Sequence, residues 1–412
     1  MHLLIANRPF RLLFSASAVS NLGDGIAALA FPWLATLITR DPMLIALVAF
    51  ATRLPWLLLA IPAGVLTDRG DRRRLMVQAD VFRVLVSAAA VALALGVPLE
   101  PQAAGAGLAI AALAGLAFLL GCAEVVRDNA AQTLLPSVVG PGDLERANGQ
   151  MWSIEQVMGA FVGPPLAGAL IALAVPVPFV AEVLAFGLAA WCVWLIALPP
   201  RLAPVRRTMW IEAAEAWRWM RGHPMVLRLA VMLGLMNALG TLALTVLVLV
   251  SQERLGLSAA GHGLLLTAGA AGGVAGGLLG PRLVARHGGQ ACVRAALVIF
   301  PLAFALMALA GSAWVMALAL FVEMVAAMLW NLVTVSWRQR LIPDAMLGRV
   351  NALYRFFAWG MMPLGALAGG WVLALAGPVL GSEAALRLPY LLAALGSVML
   401  GGYGWWRLRF TA

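Results

Sequence analysis

Along this chain, apolar stretches alternate with short polar breaks rich in arginine, proline and glycine. A helix that crosses a bilayer needs about 20 apolar residues. Runs of that length cover 11–38, 43–66, 75–97, 105–127, 148–174 and 178–198, and then 225–251, 260–284, 292–311, 313–337, 349–376 and 386–408. Backbone groups in hydrocarbon must find partners inside their own segment, so the runs predict helices rather than strands. The expected architecture is all-α, with twelve spans arranged as two six-helix bundles, 1–198 and 225–412.

Residues 199–224 are the longest polar connection. Within them Trp210, Ala213, Ala214, Trp217 and Met220 recur at helical spacing, which predicts a short interfacial helix in a linker on the cytoplasmic side.

Composition sharpens this picture. With 63% hydrophobic and 11% charged residues, the chain departs far from the balance of a water-soluble domain. Its net charge of +10 sits in short clusters between apolar runs, which argues for topology signals rather than nucleic-acid binding. Cys122, Cys192 and Cys292 are too scattered for a disulfide framework or a metal site. No metal, cofactor or catalytic constellation is expected, and the absence of lysine rules out a Walker-type nucleotide loop. The first run is longer than a signal-peptide core and is expected to remain as a span.

All 28 basic residues are arginines. Threading the spans with both termini inside leaves only Arg40, Arg254 and Arg387 in outer loops, with Arg53, Arg83 and Arg355 inside spans. Every other arginine then falls on the cytoplasmic side, as positive residues do.

The halves also repeat. Gln132-Thr-Leu-Leu-Pro136 before Arg146-Ala-Asn148 is matched by Gln339-Arg-Leu-Ile-Pro343 before Arg349-Val-Asn351, and Gly64-Val-Leu-Thr-Asp68-Arg69 is matched more weakly by Gly277-Leu-Leu-Gly-Pro-Arg282. A duplicated six-span unit accounts for both pairs.

The segment Gly64-Val-Leu-Thr-Asp68-Arg69-Gly-Asp71-Arg72-Arg73-Arg74 resembles the loop signature of the major facilitator superfamily, with Asp71 where that family usually has glycine. The resemblance implies a conformational latch built from Gly64, Asp68, Arg69, Arg72 and Arg73. Gly64 is expected to permit close helix contact, and Asp68 to complement the N-terminus of span three.

In span five, Gly159-Ala-Phe-Val-Gly163-Pro164-Pro165-Leu-Ala-Gly168 resembles the glycine-rich antiporter motif of the family's exporters. Its small residues allow close packing, and the two prolines remove backbone donors and predict a kink. Asn21-Leu-Gly23-Asp24-Gly25, Phe31-Pro-Trp33 and Arg53-Leu-Pro-Trp56 are similar to the branch that holds macrolide, multidrug and siderophore exporters. This resemblance implies proton-coupled antiport of small amphipathic molecules by alternating access, from a monomer spanning the bacterial inner membrane. Membrane lipid surrounds such a chain and protons are the coupling ion. Siderophore or lysophospholipid export and proton-coupled uptake are the alternatives.

A charge at mid-membrane costs roughly 2.5–3.5 kcal/mol on the insertion scale and needs a partner or an aqueous cavity. Asp24 in span one and Arg53 in span two lie at similar depth and are expected to pair, with Asp24 as the proton carrier and Asn21 beside it. Glu155 and Glu323 are further candidates for proton or cation binding, whereas Glu182 lies nearer the outer surface. Glu124, Arg127 and Asp128 form a cluster at the cytoplasmic end of span four, Asp80 and Arg83 pair within span three, and Arg355 is a gate or anion-binding candidate. Trp33, Trp56, Trp330, Trp359 and Trp371 either line a drug cavity or face lipid. No histidine falls at mid-membrane, so coupling is expected to use carboxylates.

Overall fold

The computed structural model describes residues 2–99, 105–197 and 209–410, with side chains for all of these except 2, 60–61, 68–69, 141, 145, 209–213, 344–345 and 347–348. Among the described residues, twelve helices are long and apolar enough to cross a membrane. They are α1 (Arg8–Ile38), α2 (Pro42–Arg69), α3 (Arg72–Gly96), α4 (Ala106–Val138), α5 (Arg146–Leu173), α6 (Val177–Trp194), α7 (Pro224–Arg254), α8 (Ala259–His287), α9 (Gly289–Leu309), α10 (Ala313–Leu341), α11 (Arg349–Leu380) and α12 (Ser382–Arg407). Each falls on one of the predicted apolar runs. The expected linker helix is also present, over Met209–Gly222, while 199–208 lie outside the described residues.

Local chemistry sets several helix ends. Asn7 caps α1, its side chain accepting from the Phe10 amide at 2.9 Å with Pro9 in the first turn, and Ser312 caps α10 by accepting from the Val315 amide. Gly288 and Gly381, before α9 and α12, hold φ of 80° and 76°, a region that disfavours any residue with a Cβ.

The chain packs as two compact units. Unit 1 comprises Met1–Arg40, Ala51–Arg206 and Ala259–Gly263, and unit 2 comprises Asp41–Phe50, Arg207–Ser258 and Leu264–Ala412. In unit 1, α1 packs on α5 and α6, and α3 on α4 and α6; in unit 2, α7 packs on α11 and α12, and α9 on α10 and α12. Each pairing recurs six helices later, so the duplication seen in the sequence is also a duplication of packing.

Glycines bring the helix backbones together. In unit 1 a Cβ on Gly163 of α5 would lie 2.5 Å from the Cα of Gly25 on α1. In unit 2, Gly369 of α11 meets the Leu242 carbonyl of α7 in the same way. Such contacts replace side-chain interdigitation by direct backbone approach, the usual way spans associate where lipid offers no hydrophobic drive.

The linker helix lies in unit 2 against the start of α11. Met220 is buried, Trp217 stacks on Phe357 with ring centroids 5.9 Å apart, and Glu215 accepts a 2.7 Å hydrogen bond from Arg349.

Candidate functional site

The polar residues of unit 1 share one interior face. On α1, Ser17, Ser20, Asn21 and Asp24 follow helical spacing; on α3, Asp80, Arg83 and Ser87 do the same. Because α1 and α3 each pack on both α4 and α6, these faces meet Glu124, Arg127 and Asp128 from α4 and Glu182 and Phe186 from α6.

Arg83 is the hub. It is ion-paired with Asp24 of α1 and with Asp80 one turn away at 3.3 Å, and it donates to the Ser20 hydroxyl at 2.8 Å. Its guanidinium stacks on the Phe186 ring at 3.8 Å. Both Asp80 and Arg83 are 0% exposed.

Arg127 extends the network along α4. Its Nε lies 3.9 Å from Asp80, its Nη1 reaches Asp128 at 3.4 Å, and its Nη2 donates to the Ser17 hydroxyl at 3.2 Å. One turn beyond Arg83 on α3, the Ser87 hydroxyl bonds Glu182 at 2.9 Å. Asp80 Oδ2 and Glu182 Oε1 are buried without a hydrogen-bond partner among the described residues.

Below this network a cavity of about 60 Å³ is lined by Ser17, Asn21, Arg127, Asp128, Gln132 and Glu155, among others. It has room for a few waters, and its polar walls suit them. It is too small for a drug-sized ligand, which needs roughly 300 Å³ or more.

Several expectations need correction. Asp24 pairs with Arg83, not with Arg53, whose side chain is exposed; equal depth on neighbouring spans does not make two residues face each other. Gly64 permits no close helix contact, because a Cβ there would meet nothing within 4 Å. Asp68 ends α2 rather than starting α3. The cap of α3 is Asp71, which accepts from the Arg74 amide at 3.1 Å, so the residue that departs from the family pattern stabilises the turn instead of disturbing it. The side chains of Asp68 and Arg69 lie outside the described residues. Arg72 donates to the carbonyls of Thr67 and Thr133, and Arg73 to that of Trp194. This ties the loop to the ends of α4 and α6.

In α5 the expected kink takes the form of a π-helical segment, Gln156–Val162, in which the Gly163 amide bonds back to the Met158 carbonyl. Pro164 and Pro165 follow at the start of the resumed α-helix, where their missing donors cost least. Gly168 meets the Ala259 carbonyl within unit 1. Asn21 spends its amide on the Ser17 carbonyl at 2.8 Å.

The remaining candidates stand apart from this network. Glu323 on α10 is half-buried in unit 2, and Arg355 is exposed with its guanidinium 5.7 Å from the Trp359 ring. Trp33 and Trp330 are buried, whereas Trp371 is 62% exposed. From the sequence alone, Asp80 and Arg83 read as a local pair and Glu182 ranks low. The available signal was the spacing of Asp80, Arg83 and Ser87 on one face of a span that is otherwise apolar over that stretch.

Comparison with known proteins agrees with this architecture. Residues 4–400 match the profile of the family described as transmembrane secretion effector. Over 177 residues the chain is 33% identical to the multidrug efflux pump Tap of Mycobacterium tuberculosis, which covers 40% of this chain and 38% of that pump. The corresponding pump of Mycolicibacterium fortuitum is 31% identical over 166 residues, 40% of this chain and 39% of its own length. The aligned segment thus spans well under half of these curated relatives.

Among solved structures, an inward-facing bacterial homologue of the iron transporter ferroportin superposes with a TM-score of 0.72 at 17% identity, over 96% of this chain and 98% of that one. A bacterial homologue of the lysosomal transporter Spinster gives 0.71 at 16%, over 96% and 95%. At such identities these likenesses show the fold. The twelve-helix fold, the duplicated packing and the family match converge: the chain is a multi-pass membrane transporter, not an enzyme, and belongs to the transmembrane secretion effector family within the major facilitator superfamily.

Proposed function

We propose that this transporter exports small amphipathic molecules, such as drugs or related metabolites, in exchange for protons. The observation that carries the proposal is the interior network of unit 1, in which, among the described residues, Asp24, Asp80, Glu124 and Asp128 gather around the buried Arg83 and Arg127, with the exposed Arg53 acting on Glu124 from farther out. Unbalanced charge in a low-dielectric interior is costly, and with four carboxylates against two interior arginines, bound protons are the smallest partners that close the balance.

The duplicated fold makes this polarity conspicuous. The counterparts of α1 and α3 in the second half, α7 and α9, carry within Pro224–Leu249 and Gly289–Leu309 only Arg228 and Arg294 as charged residues. Ion handling would then belong to unit 1, and unit 2, with Glu323 well inside α10, would contribute chiefly to substrate binding. The polar cavity beneath Arg127 would let water carry protons to the network.

In this scheme a proton taken by Asp24 weakens its hold on Arg83, and the released arginine favours a second arrangement of α1 against α3. Coupling follows if substrate and proton prefer different arrangements. The halves 1–198 and 225–412 would rock about the linker, with both termini cytoplasmic, as a monomer in a bacterial inner membrane. Similarity to multidrug pumps supports the direction.

The test is transport by the full chain in liposomes under an imposed proton gradient, with ethidium as the lipophilic cation. Inward proton flow should drive ethidium the opposite way in the native chain, and Asp24→Asn should abolish that drive while facilitated exchange survives. Ethidium moving together with protons, or an unaltered gradient response in Asp24→Asn, would overturn the proposal.

A further inference from the structure

Glu182 takes no part in the exchange described above, yet it is 0% exposed and lies in the core of unit 1. Its Oε2 is held by Ser87 at 2.9 Å and its Oε1 is buried without a partner among the described residues. Ser87 follows Arg83 by one turn of α3, and Phe186, on which Arg83 stacks, follows Glu182 by one turn of α6. The two helices run antiparallel in register, so Glu182 stands about one helical pitch from Arg83 along the unit's interior. It lies on the side away from Arg127 and the water-sized cavity.

We propose that Glu182 is a second proton-holding carboxylate of the transport cycle, and that Arg83 is shared between it and the Asp24–Asp80 pair. This rests on the proton-exchange function proposed above and assigns to it a residue on the opposite side of the arginine. With Asp24 ionised, Arg83 is held at Asp24 and Asp80, and Glu182 carries the proton and donates no charge to the core. When a proton neutralises Asp24, Arg83 is released toward Glu182, which gives up its own proton and becomes the arginine's counter-ion. One proton is taken up and one released, so the net charge of the core is unchanged.

The groups that face Glu182 are those of the helices packed on α6. Arg83 and Asp80 come from α3 and Asp24 from α1, while α5 packs on α6 through Gly163–Leu173, which carries no titratable side chain. Glu124, Arg127 and Asp128 of α4 act on Arg83 at longer range. Phe186 and Ser87 hold the geometry without titrating in this range. Arg83 is the only cation within one turn of Glu182 among the described residues on α3 and α6.

The experiment is an infrared titration of the full chain in lipid, native and Glu182→Gln, following the C=O stretch of protonated carboxyl groups, alongside the liposome exchange of ethidium. Glutamine keeps the Ser87 hydrogen bond, so the fold should survive. The native chain should show a titrating carboxyl band that Glu182→Gln lacks. In Asp24→Asn, where Arg83 keeps Asp80 but loses its second carboxylate and can lean toward Glu182, the midpoint of that band should fall by about one pH unit or more, equivalent to a tenfold change in proton affinity.

Glu182→Gln should also flatten the dependence of exchange on outer pH, and Ser87→Ala should shift it without abolishing exchange. A midpoint indifferent to Asp24→Asn, or a Glu182→Gln chain with native pH dependence, overturns the sharing of Arg83. If Asp24→Asn alone leaves gradient-driven exchange intact, it is the proton-exchange function that fails, whatever the band does.

Discussion

Asp24 and Arg83, on the first and third helices, form an ion pair inside unit 1, and the same arginine holds Asp80 at 3.3 Å and stacks on Phe186. One guanidinium therefore binds three helices together through groups that would be costly to bury singly. Its worth lies in the cost of breaking it, since a buried pair stabilises little relative to apolar packing but leaves a stranded charge when one member is lost.

Replacing Arg83 by methionine should accordingly destabilise the folded protein by about 3–5 kcal/mol, because Asp24 and Asp80 lose their counter-charge together. Thermal unfolding of the detergent-purified chain would register this. Adding Asp80→Asn to the Arg83→Met background should recover part of the loss, since the two changes are coupled through a direct contact. Additive losses would show that the network does not act as a unit.

The glycines of α5 make a finer prediction within one motif. A Cβ on Gly163 would lie 2.5 Å from the Gly25 Cα, backbone against backbone, whereas a Cβ on Gly159 would meet its nearest atom, the Asn21 carbonyl oxygen, at 3.5 Å. Gly163→Ala should therefore cost about 1–3 kcal/mol and impair transport, as overpacking does. Gly159→Ala should be nearly silent. Assayed by melting temperature and ethidium exchange, equal effects at both positions would contradict the packing described.

These two cases mark how far the sequence could be read. The spans were legible because the bilayer imposes a length and an internal hydrogen-bond requirement on each, and the repeats at Gln132 and Gln339 divided them into halves. Asp24 was legible because a charge inside a span is rare. Its partner was not: depth along a helix follows from counting, but the direction in which a side chain faces depends on packing, and the polar faces of α1 and α3 meet in the space that α4 and α6 enclose with them. Distance from the outer surface ranks Glu182 low, although the packing of α1 and α3 on α6 is what buries it. Pro164 and Pro165 announced a break in α5, but the π-helical register before them depends on how Gly159 and Gly163 seat against α1.

Arg338 offers a test of side-chain shape in unit 2. Its guanidinium lies 3.6 Å from the Tyr354 ring while its Nε donates to Asn351 at 3.0 Å. A planar fork can do both and a lysine ammonium cannot. Arg338→Lys should therefore destabilise the chain measurably, by up to about 2 kcal/mol if the desolvated ring contact is lost. Tyr354→Phe, which keeps the ring face, should cost far less than Tyr354→Ala. Similar melting temperatures for the phenylalanine and alanine variants would show that the ring is not what holds the arginine.

Glu323 provides the sharpest test of a division of labour between the halves. It is half-buried in α10, within a span that is otherwise uncharged until Arg338, and it has no hydrogen-bond or ion-pair partner among the described residues. An unpaired carboxylate at that depth is worth its insertion cost if a cationic ligand completes it. If Glu323 holds the cation in both ground and transition states, Glu323→Gln should raise KM for ethidium while leaving kcat near native. Export of an uncharged amphipathic compound should be unaffected, and the dependence of exchange on outer pH should stay where it is. If Glu323 carries the coupling proton instead, Glu323→Gln will abolish gradient-driven export of charged and uncharged compounds alike. Parallel transport assays with one cationic and one neutral substrate separate the two outcomes, and only the first is compatible with proton handling confined to the Asp24–Arg83 network.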